Sequence, residues 1–480
     1  MKPGWEMVVG LEVHCELKTA TKLFCGCPNV FGDEPNTNVC PVCLGLPGSL
    51  PVINQRAVEL AMAIGTALNC EILPSTFHRK NYFYPDQAKD YQISQYDEPI
   101  NVNGHLDLPD GTRVGVERAH MEEDTGKTTH AGASGRIHGA DYSLVDYNRS
   151  GVPLVEIVSR PDMRSSAQAR AYASELRAVL VASGASDGKM EEGSMRVDAN
   201  VSVRRSSADP FGTRCEIKNL NSVRSLGRAI DYEADRQIAL IESGEPVVQQ
   251  TRHWDEDAGR TQTLRSKEDA YDYRYFLEPD LVPLVPDAEW IRAVADTMAP
   301  MPALRRSRMV ELMGRGEGIT GATEDQVSTV VDLGLDPLVL AAAAAGVPPG
   351  LALARTANEA ANDAEAARNL DVESYVALLS LEADGSLTPT QSKAVLAEML
   401  AQGGHPADIA AAKGYEAMSE DSLVTAVADV VAAYPDEWAR YCDGDQKVGG
   451  MLIGKVMGAT KGQADGKAVR AELDRLKGRA

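Results

Sequence analysis

The sequence predicts an α+β protein in which a mainly antiparallel sheet comes first and all-helical parts follow. Two observations carry this. Composition breaks near residue 290: all six Phe lie before residue 277, eleven of the fifteen Tyr lie before residue 276, and the chain after Trp290 is Ala-rich. Before the break, strand-like runs alternate with turn signals and helical patterns, the mark of a mixed fold with hairpin-type connections. The strand-like runs are Met7–Val13, Val114–Ala119, Leu154–Val158, Arg196–Val203 and Arg214–Ile217. The helical runs between them are Gln55–Leu68, Ser166–Ser183 and Ser225–Glu242. From about 290 to 410 the pattern is helical, as at Asn358–Asn369 and Thr390–Gln402, and Gly346-Val-Pro-Pro-Gly350 punctuates it. Ala341–Ala345 reads as a helix end. A last helical unit runs from about 418 to 480.

Size and charge bound the function. A chain of 480 residues suggests about three domains. Hydrophobic residues make up 44% and charged residues 25%, which excludes wholesale disorder. No apolar run reaches the ~18 residues of a membrane span, and Met1–Val9 lacks the pattern of a signal peptide, so a soluble, cytoplasmic protein is expected. The net charge of −22 argues against a generic nucleic-acid coat. A local basic patch can still hold phosphate, and Gln446–Ala480 carries eight Lys or Arg against three Asp or Glu. That stretch is either a solvated helix face or an RNA-phosphate patch.

Four of the eight cysteines form one cluster: Cys25-Gly-Cys27, twelve residues, then Cys40-Pro-Val-Cys43. Two pairs joined by a short loop can close a tetrahedral thiolate site around Zn²⁺, and four thiolates leave no open position, so such a zinc is structural. Four unrelated reduced cysteines are the simpler alternative.

A second constellation is acidic. Glu12 and His14 stand at i and i+2 of a predicted strand and share a face. His120-Met-Glu122-Glu123-Asp124 adds adjacent carboxylates, Glu156 sits inside an apolar strand, and Asp198 and Asn200 repeat the i, i+2 spacing. A carboxylate in an apolar strand is costly unless paired or metal-bound. Several such groups converging suggest Mg²⁺ with nucleotide phosphates, although each alone is more often a salt-bridge partner or a solvated charge. Gly126-Lys-Thr128 imitates the end of a P-loop, but the required earlier Gly is Met121. No G-x-G-x-x-G, HExxH or GxSxG motif supplies a standard alternative. Arg79, Lys80, Tyr82 and Tyr84 interleave charge with aromatic rings, which suits phosphate contact and stacking or a strand edge over an aromatic core. Asn221 or Ser222 is placed to cap the helix that follows.

Several of these runs together resemble a known family. Gly10-Leu-Glu-Val-His14, Arg79-Lys-Asn-Tyr-Phe-Tyr-Pro-Asp86, Tyr91-Gln-Ile-Ser-Gln95, His120-Met-Glu-Glu-Asp124, Val145–Glu156, Met190-Glu-Glu-Gly193 and Glu216–Ser222 closely resemble the B subunits of the bacterial aspartyl/glutamyl-tRNA(Asn/Gln) amidotransferases. Lys447–Gln463 resembles their tail domain. The resemblance spans essentially the whole chain.

It implies a catalytic cradle domain over residues 1–290, similar in fold to glutamine synthetase, with a zinc-binding insertion at 25–43. A helical domain at 291–410 and a tRNA-binding tail at 411–480 would follow. The implied activity is ATP-dependent phosphorylation of the side-chain carboxylate of Glu or Asp mischarged on tRNA(Gln) or tRNA(Asn). Ammonia, made by an amidase-type glutaminase (the A subunit), then displaces phosphate. A small C subunit completes a heterotrimer. Carried over residue by residue, the resemblance puts Glu12, His14, Glu123 and Glu156 on Mg²⁺, with Asp198 as a further ligand, and Zn²⁺ on Cys25, Cys27, Cys40 and Cys43. The resemblance does not fix the roles of Lys80 and Lys89, which are expected near the phosphates or the mouth of the ammonia tunnel; Lys447, Lys455 and Lys461 are expected on the tRNA. A free-standing carboxylate–amine ligase and a zinc-stabilised RNA-binding protein without catalysis are the competing readings.

Overall fold

The computed structural model describes residues 2–131, 140–266, 273–314, 321–415, 420–460, 464 and 466–478. The chain divides into two units, Met1–Met301 and Pro302–Ala480. In the first, the strands are β1 (Glu6–Glu16), β2 (Glu71–Ile72), β3 (His78–Asn81), β4 (Tyr91–Ser94), β5 (Asn101–Asp107), β6 (Arg113–Glu123), β7 (Lys127–Ala131), β8 (Tyr142–Asp146), β9 (Pro153–Ser159), β10 (Met195–Arg204), β11 (Cys215–Leu220), β12 (Gln250–Asp255), β13 (Arg260–Ser266) and β14 (Phe276–Leu277). Its helices are α1 (Gln55–Ala67), α2 (Ser166–Ala182), α3 (Val223–Glu242) and α4 (Ala288–Asp296).

One large sheet runs in the order β13-β12-β11-β10-β1-β9-β6-β4-β3-β14, with β5 beside β6 and β2 beside β5, while β7 and β8 pair separately. Every described pairing is antiparallel except that of β11 with β12. The sheet is two-faced because side chains alternate along each strand. Leu11, Val13 and Cys15 of β1, Val155 and Ile157 of β9, Ala119 and Met121 of β6, and Val197, Ala199 and Val201 of β10 are all buried in one core. The same core takes Leu60 and Ile64 of α1, Tyr172 and Leu176 of α2, and Leu226 and Ile230 of α3. Burying each such side chain stabilises the fold by about 1.5–3 kcal/mol. The intervening residues, Glu12, His14, Glu156, His120, Glu122 and Asp198, are left on the other face.

Each helix starts where a side chain can accept from an unpaired backbone N–H. Asn54 caps α1, Ser165 caps α2 and Ser222 caps α3, so the polar run before α3 is in part a cap. Trp290, Ile291 and Val294 of α4 pack on the sheet's core, which carries the first unit past the compositional break at 290.

Helix α1 lies close to β5 at Gly65. A Cβ there would stand 2.0 Å from Asn101 Oδ1. Asn101 is fully buried and donates to the carbonyls of Ala61 at 3.0 Å and Ala119 at 3.1 Å, so it cannot move aside without stranding them. Gly65→Ala gains about 1 kcal/mol of helix propensity and loses more to overpacking, about 1–3 kcal/mol together with the disturbed amide. A lowered thermal midpoint is the expected result, and an unchanged or raised one would contradict this packing.

The second unit is helical throughout its described residues. Its helices are α5 (Pro302–Gly314), α6 (Gly321–Asp332), α7 (Asp336–Ala344), α8 (Pro349–Asn358), α9 (Ala364–Arg368), α10 (Val372–Ala383), α11 (Pro389–Gln402), α12 (Pro406–Ala412), α13 (Glu420–Ala433), α14 (Pro435–Cys442), α15 (Gln446–Ala459) and α16 (Gly466–Lys477). One core gathers residues from Met309 to Ala410 and a second from Val427 to Leu473. The single helix expected over Asn358–Asn369 is instead the end of α8, a 3-10 turn at Ala360–Asp363 and α9. The Asp363 carboxylate accepts from the Ala366 N–H and restarts the helix at that point. Among the described residues no single helix is long and apolar enough to cross a membrane.

Candidate active site and cysteine cluster

The polar face of the sheet carries a row of charged groups because antiparallel register puts paired residues on one side. Glu12 pairs with Asp198, His14 with Glu156, and Glu156 with His120. Glu122, two residues beyond His120, falls on the same side as well. The three strands β1, β9 and β6 therefore bring His14, Glu156 and Glu122 together, with one donor atom from each within 4.8 Å of the others. His14 Nε2 lies 3.5 Å from Glu156 and 3.7 Å from Glu122. His120 Nε2 stands 3.6 Å from Glu156 and 3.9 Å from Glu122.

The row continues on both sides. Towards β11, Glu12 accepts from Asn200 Nδ2 at 2.8 Å, and Lys218 Nζ bridges Asp198 at 2.8 Å and Glu216 at 3.0 Å. Towards β3, Lys80 points to the same side, its Nζ 5.0 Å from the Tyr273 ring and 6.0 Å from Tyr82. Tyr275 stacks on Tyr96 at 3.9 Å beside them.

These groups tune one another. Burial raises the Glu12 carboxyl, and the charges of Glu156 and Glu216 raise it further. Burial would also raise Glu156, but His120, His14 and Lys80 outweigh it and hold that carboxyl well below the usual carboxylate range. Burial depresses the His14 imidazole, yet Glu156, Glu122 and Asp198 bring it to a net rise. His120 is pulled down by burial. The result is two neighbouring imidazoles of opposite tendency beside Glu156 and Glu122. Two carboxylates and one imidazole suit a divalent cation and leave positions open for water or phosphate oxygens.

Glu123 does not join this cluster. It lies on the opposite side of β6, where its carboxylate is ion-paired with Lys89 and accepts from the Ile93 N–H at 2.9 Å. Side-chain alternation is the reason: of two adjacent residues on one strand, only one faces the cluster. The i, i+2 spacing puts Glu122 on one side with His120 and Glu123 on the other, but which side meets His14 follows from the register of β6 against β9. Arg79 is likewise turned away. It holds Glu278 at 2.7 Å, with its guanidinium 4.3 Å from the Tyr91 ring.

The four Sγ atoms of Cys25, Cys27, Cys40 and Cys43 also lie within 4.8 Å of one another. Cys40 and Cys43 Sγ are 3.9 Å apart, and the Cys40 N–H donates to Cys43 Sγ at 3.1 Å. A tetrahedral Zn²⁺ with bonds of about 2.3 Å spaces its sulfurs at about this separation, so the donor set fits zinc. A hydrogen bond from Cys25 brings the Cys43 thiol down to about 5 against burial, with help from the Cys40 N–H and the charge of Lys22. The loop after Cys43 packs onto Lys89: a Cβ on Gly45, at φ 65°, would meet Lys89 Cγ at 2.5 Å.

In the second unit, Lys447 and Lys455 are exposed on α15, while Val448, Leu452 and Val456 face the core. Lys455 Nζ lies 5.0 Å from the Tyr434 ring. Lys461 lies outside the described residues.

Both units match known families. Residues 7–292 match the family described as the GatB/GatE catalytic domain, and residues 351–476 match the GatB domain. The chain thus belongs to the GatB/GatE family. Among its relatives is the B subunit of the aspartyl/glutamyl-tRNA(Asn/Gln) amidotransferase of Frankia casuarinae, 48% identical over 98% of this chain and 95% of that protein. The protein of that name from Mycobacterium sp. strain KMS is 49% identical over 97% and 95%, and that from Nocardia farcinica 48% identical over 97% and 95%.

Proposed function

We propose that this chain is the kinase and transamidase component of a tRNA-dependent amidotransferase that converts Glu-tRNA(Gln), Asp-tRNA(Asn) or both to the amides. The observation that carries the proposal is the convergence of His14, Glu122 and Glu156 on the polar face of the sheet. A carboxylate is a poor electrophile until its oxygen becomes a leaving group. Its oxygen attacks the γ-phosphorus of ATP and ADP departs. Ammonia then attacks the acyl carbon and inorganic phosphate departs. The first step brings anionic groups together and needs charge neutralisation more than covalent help. Mg²⁺, held by His14, Glu122 and Glu156 with Glu12 and Asp198 beside them, supplies Lewis-acid neutralisation of phosphate oxygens when bound. Lys80 adds a positive charge on the β3 side of the row, and Lys218 one on the β11 side.

The relatives are named as subunits of a larger enzyme. The proposed partners are therefore a glutaminase, the A subunit, that supplies ammonia and a small C subunit. The test supplies ammonium chloride, ATP, Mg²⁺ and Glu-tRNA(Gln) to the complex with an inactivated glutaminase. Formation of Gln-tRNA(Gln) is expected. No amide under these conditions, with tRNA still bound, would leave only a binding scaffold.

Lys447 and Lys455 are assigned to the phosphate backbone of that tRNA. Substituting each with Ala should weaken tRNA binding uniformly across sequences and reduce the magnitude of the salt slope of log K by about 1 per residue. A filter-binding titration over salt concentration reads this directly, and an unchanged slope would remove the assignment.

A further inference from the structure

Lys22 is fully buried, between β1 and the first cysteine pair. Its Nζ donates to the carbonyl of Asn38 at 2.7 Å and lies 3.3 Å from the carbonyl of Tyr147. Among the described residues no carboxylate is salt-bridged to it. A buried ammonium hydrogen-bonded only to neutral carbonyls is costly. The cysteine cluster lies beside it: a Cβ on Gly151 would stand 3.6 Å from both Lys22 Cδ and Cys43 Cβ, and 3.9 Å from Oε2 of Glu123, whose charge is already matched by Lys89. Four thiolates around Zn²⁺ carry a net charge of −2, and a buried dianion next to a buried cation resolves the imbalance of both.

We infer that Lys22 is the counter-charge of the cysteine site and sets its affinity for zinc. The inference rests on reading the four cysteines as a zinc site. Lys22 touches no ligand sulfur by hydrogen bond, so it acts through the field it imposes on the thiolates, and it is a positioning residue. Its two carbonyl contacts hold that charge in place. Asn38 lies two residues before Cys40, and Tyr147 lies in the turn that leads to β9.

The experiment measures zinc affinity of the full-length chain by competition with a chromogenic chelator. Lys22→Met keeps length and removes charge, and it should weaken zinc binding by about 10–100-fold, the range for groups just outside a metal's ligands. Cys27→His lowers the site's negative charge by one, since neutral imidazole replaces a thiolate. The penalty of Lys22→Met should therefore shrink several-fold in the Cys27→His background. An equal penalty in both backgrounds would mean a purely structural lysine and would overturn the inference. So would affinity within twofold of the parent. If the parent chain binds no zinc, the zinc reading itself fails, and the inference with it. Should Lys22→Met not fold, amine labelling of the unsubstituted chain decides. Lys22 should resist reductive methylation with zinc bound and react once zinc is stripped, and equal labelling in both states would refute the coupling.

Discussion

Glu122→Gln should abolish ATP-dependent amidation, by about 10²–10³-fold in kcat, and leave the fold intact. The substitution keeps the shape of the side chain and removes one of the two carboxylates that face His14. Under the proposed function, the site would hold a divalent cation less tightly and neutralise phosphate oxygens less during transfer. Stability should not fall, because the change also relieves repulsion between neighbouring carboxylates on one face. Glu123→Gln is the contrasting case. It removes the partner of Lys89, and both side chains of that pair are nearly inaccessible, 3% exposed for Glu123 and 6% for Lys89. A buried lysine left alone costs about 3–5 kcal/mol, so the thermal midpoint should drop markedly. Two measurements separate the variants: amidation with ammonium as donor over a titration of Mg²⁺, and thermal unfolding. If Glu123→Gln lost activity at full stability while Glu122→Gln kept both, the assignment of faces on β6 would be reversed.

Zinc removal should loosen the segment that carries the cysteines. Metal analysis of the purified chain is expected to find about one zinc per molecule. The segment is poor in buried apolar groups: Val30, Phe31, Leu46, Leu50 and Val52 are all exposed. Its remaining ties are polar. The Asn38 N–H donates to Asn148 Oδ1 at 2.8 Å, and the Asn36 N–H to Asp146 Oδ1 at 3.0 Å. Metal binding is worth about 10–16 kcal/mol in isolated zinc fingers, which far exceeds what these contacts supply. Chelation, or Cys40→Ser, should lower the thermal midpoint and open cleavage sites between residues 25 and 50. The loop around Gly45 packs on Lys89, so the Lys89–Glu123 pair should loosen with it. A chain without zinc whose loop resists protease as well as the parent would eliminate the metal.

Much of the arrangement was legible before any coordinates. The apolar alternation of β1, β9 and β10 is strong because one face of each is covered by helices, and period 2 is what such a strand must show. The start of helix α3 is marked by Ser222, whose hydroxyl satisfies an N–H group that the helix itself cannot. Both cysteine pairs were recognisable by spacing alone, since ligands of one ion must lie close along the chain or at the ends of a short loop. Helix boundaries in the second unit were less legible. Over 358–369 most residues are Ala, Asn, Asp and Glu, and hydropathy does not reveal that Asp363 interrupts the run.

The sequence by itself determined which residue types the site could draw on, the two-faced character of the strands and the local pairing of the cysteines. These follow from properties of a residue and its near neighbours. Which carboxylate of Glu122 and Glu123 meets His14 was decided only by tertiary structure, through the register of β6 against β9 and of β9 against β1. Register joins residues from about thirty to more than a hundred positions apart, and no local preference encodes it. The same holds for Lys22, an ordinary lysine in the sequence, which the fold buries near Cys43.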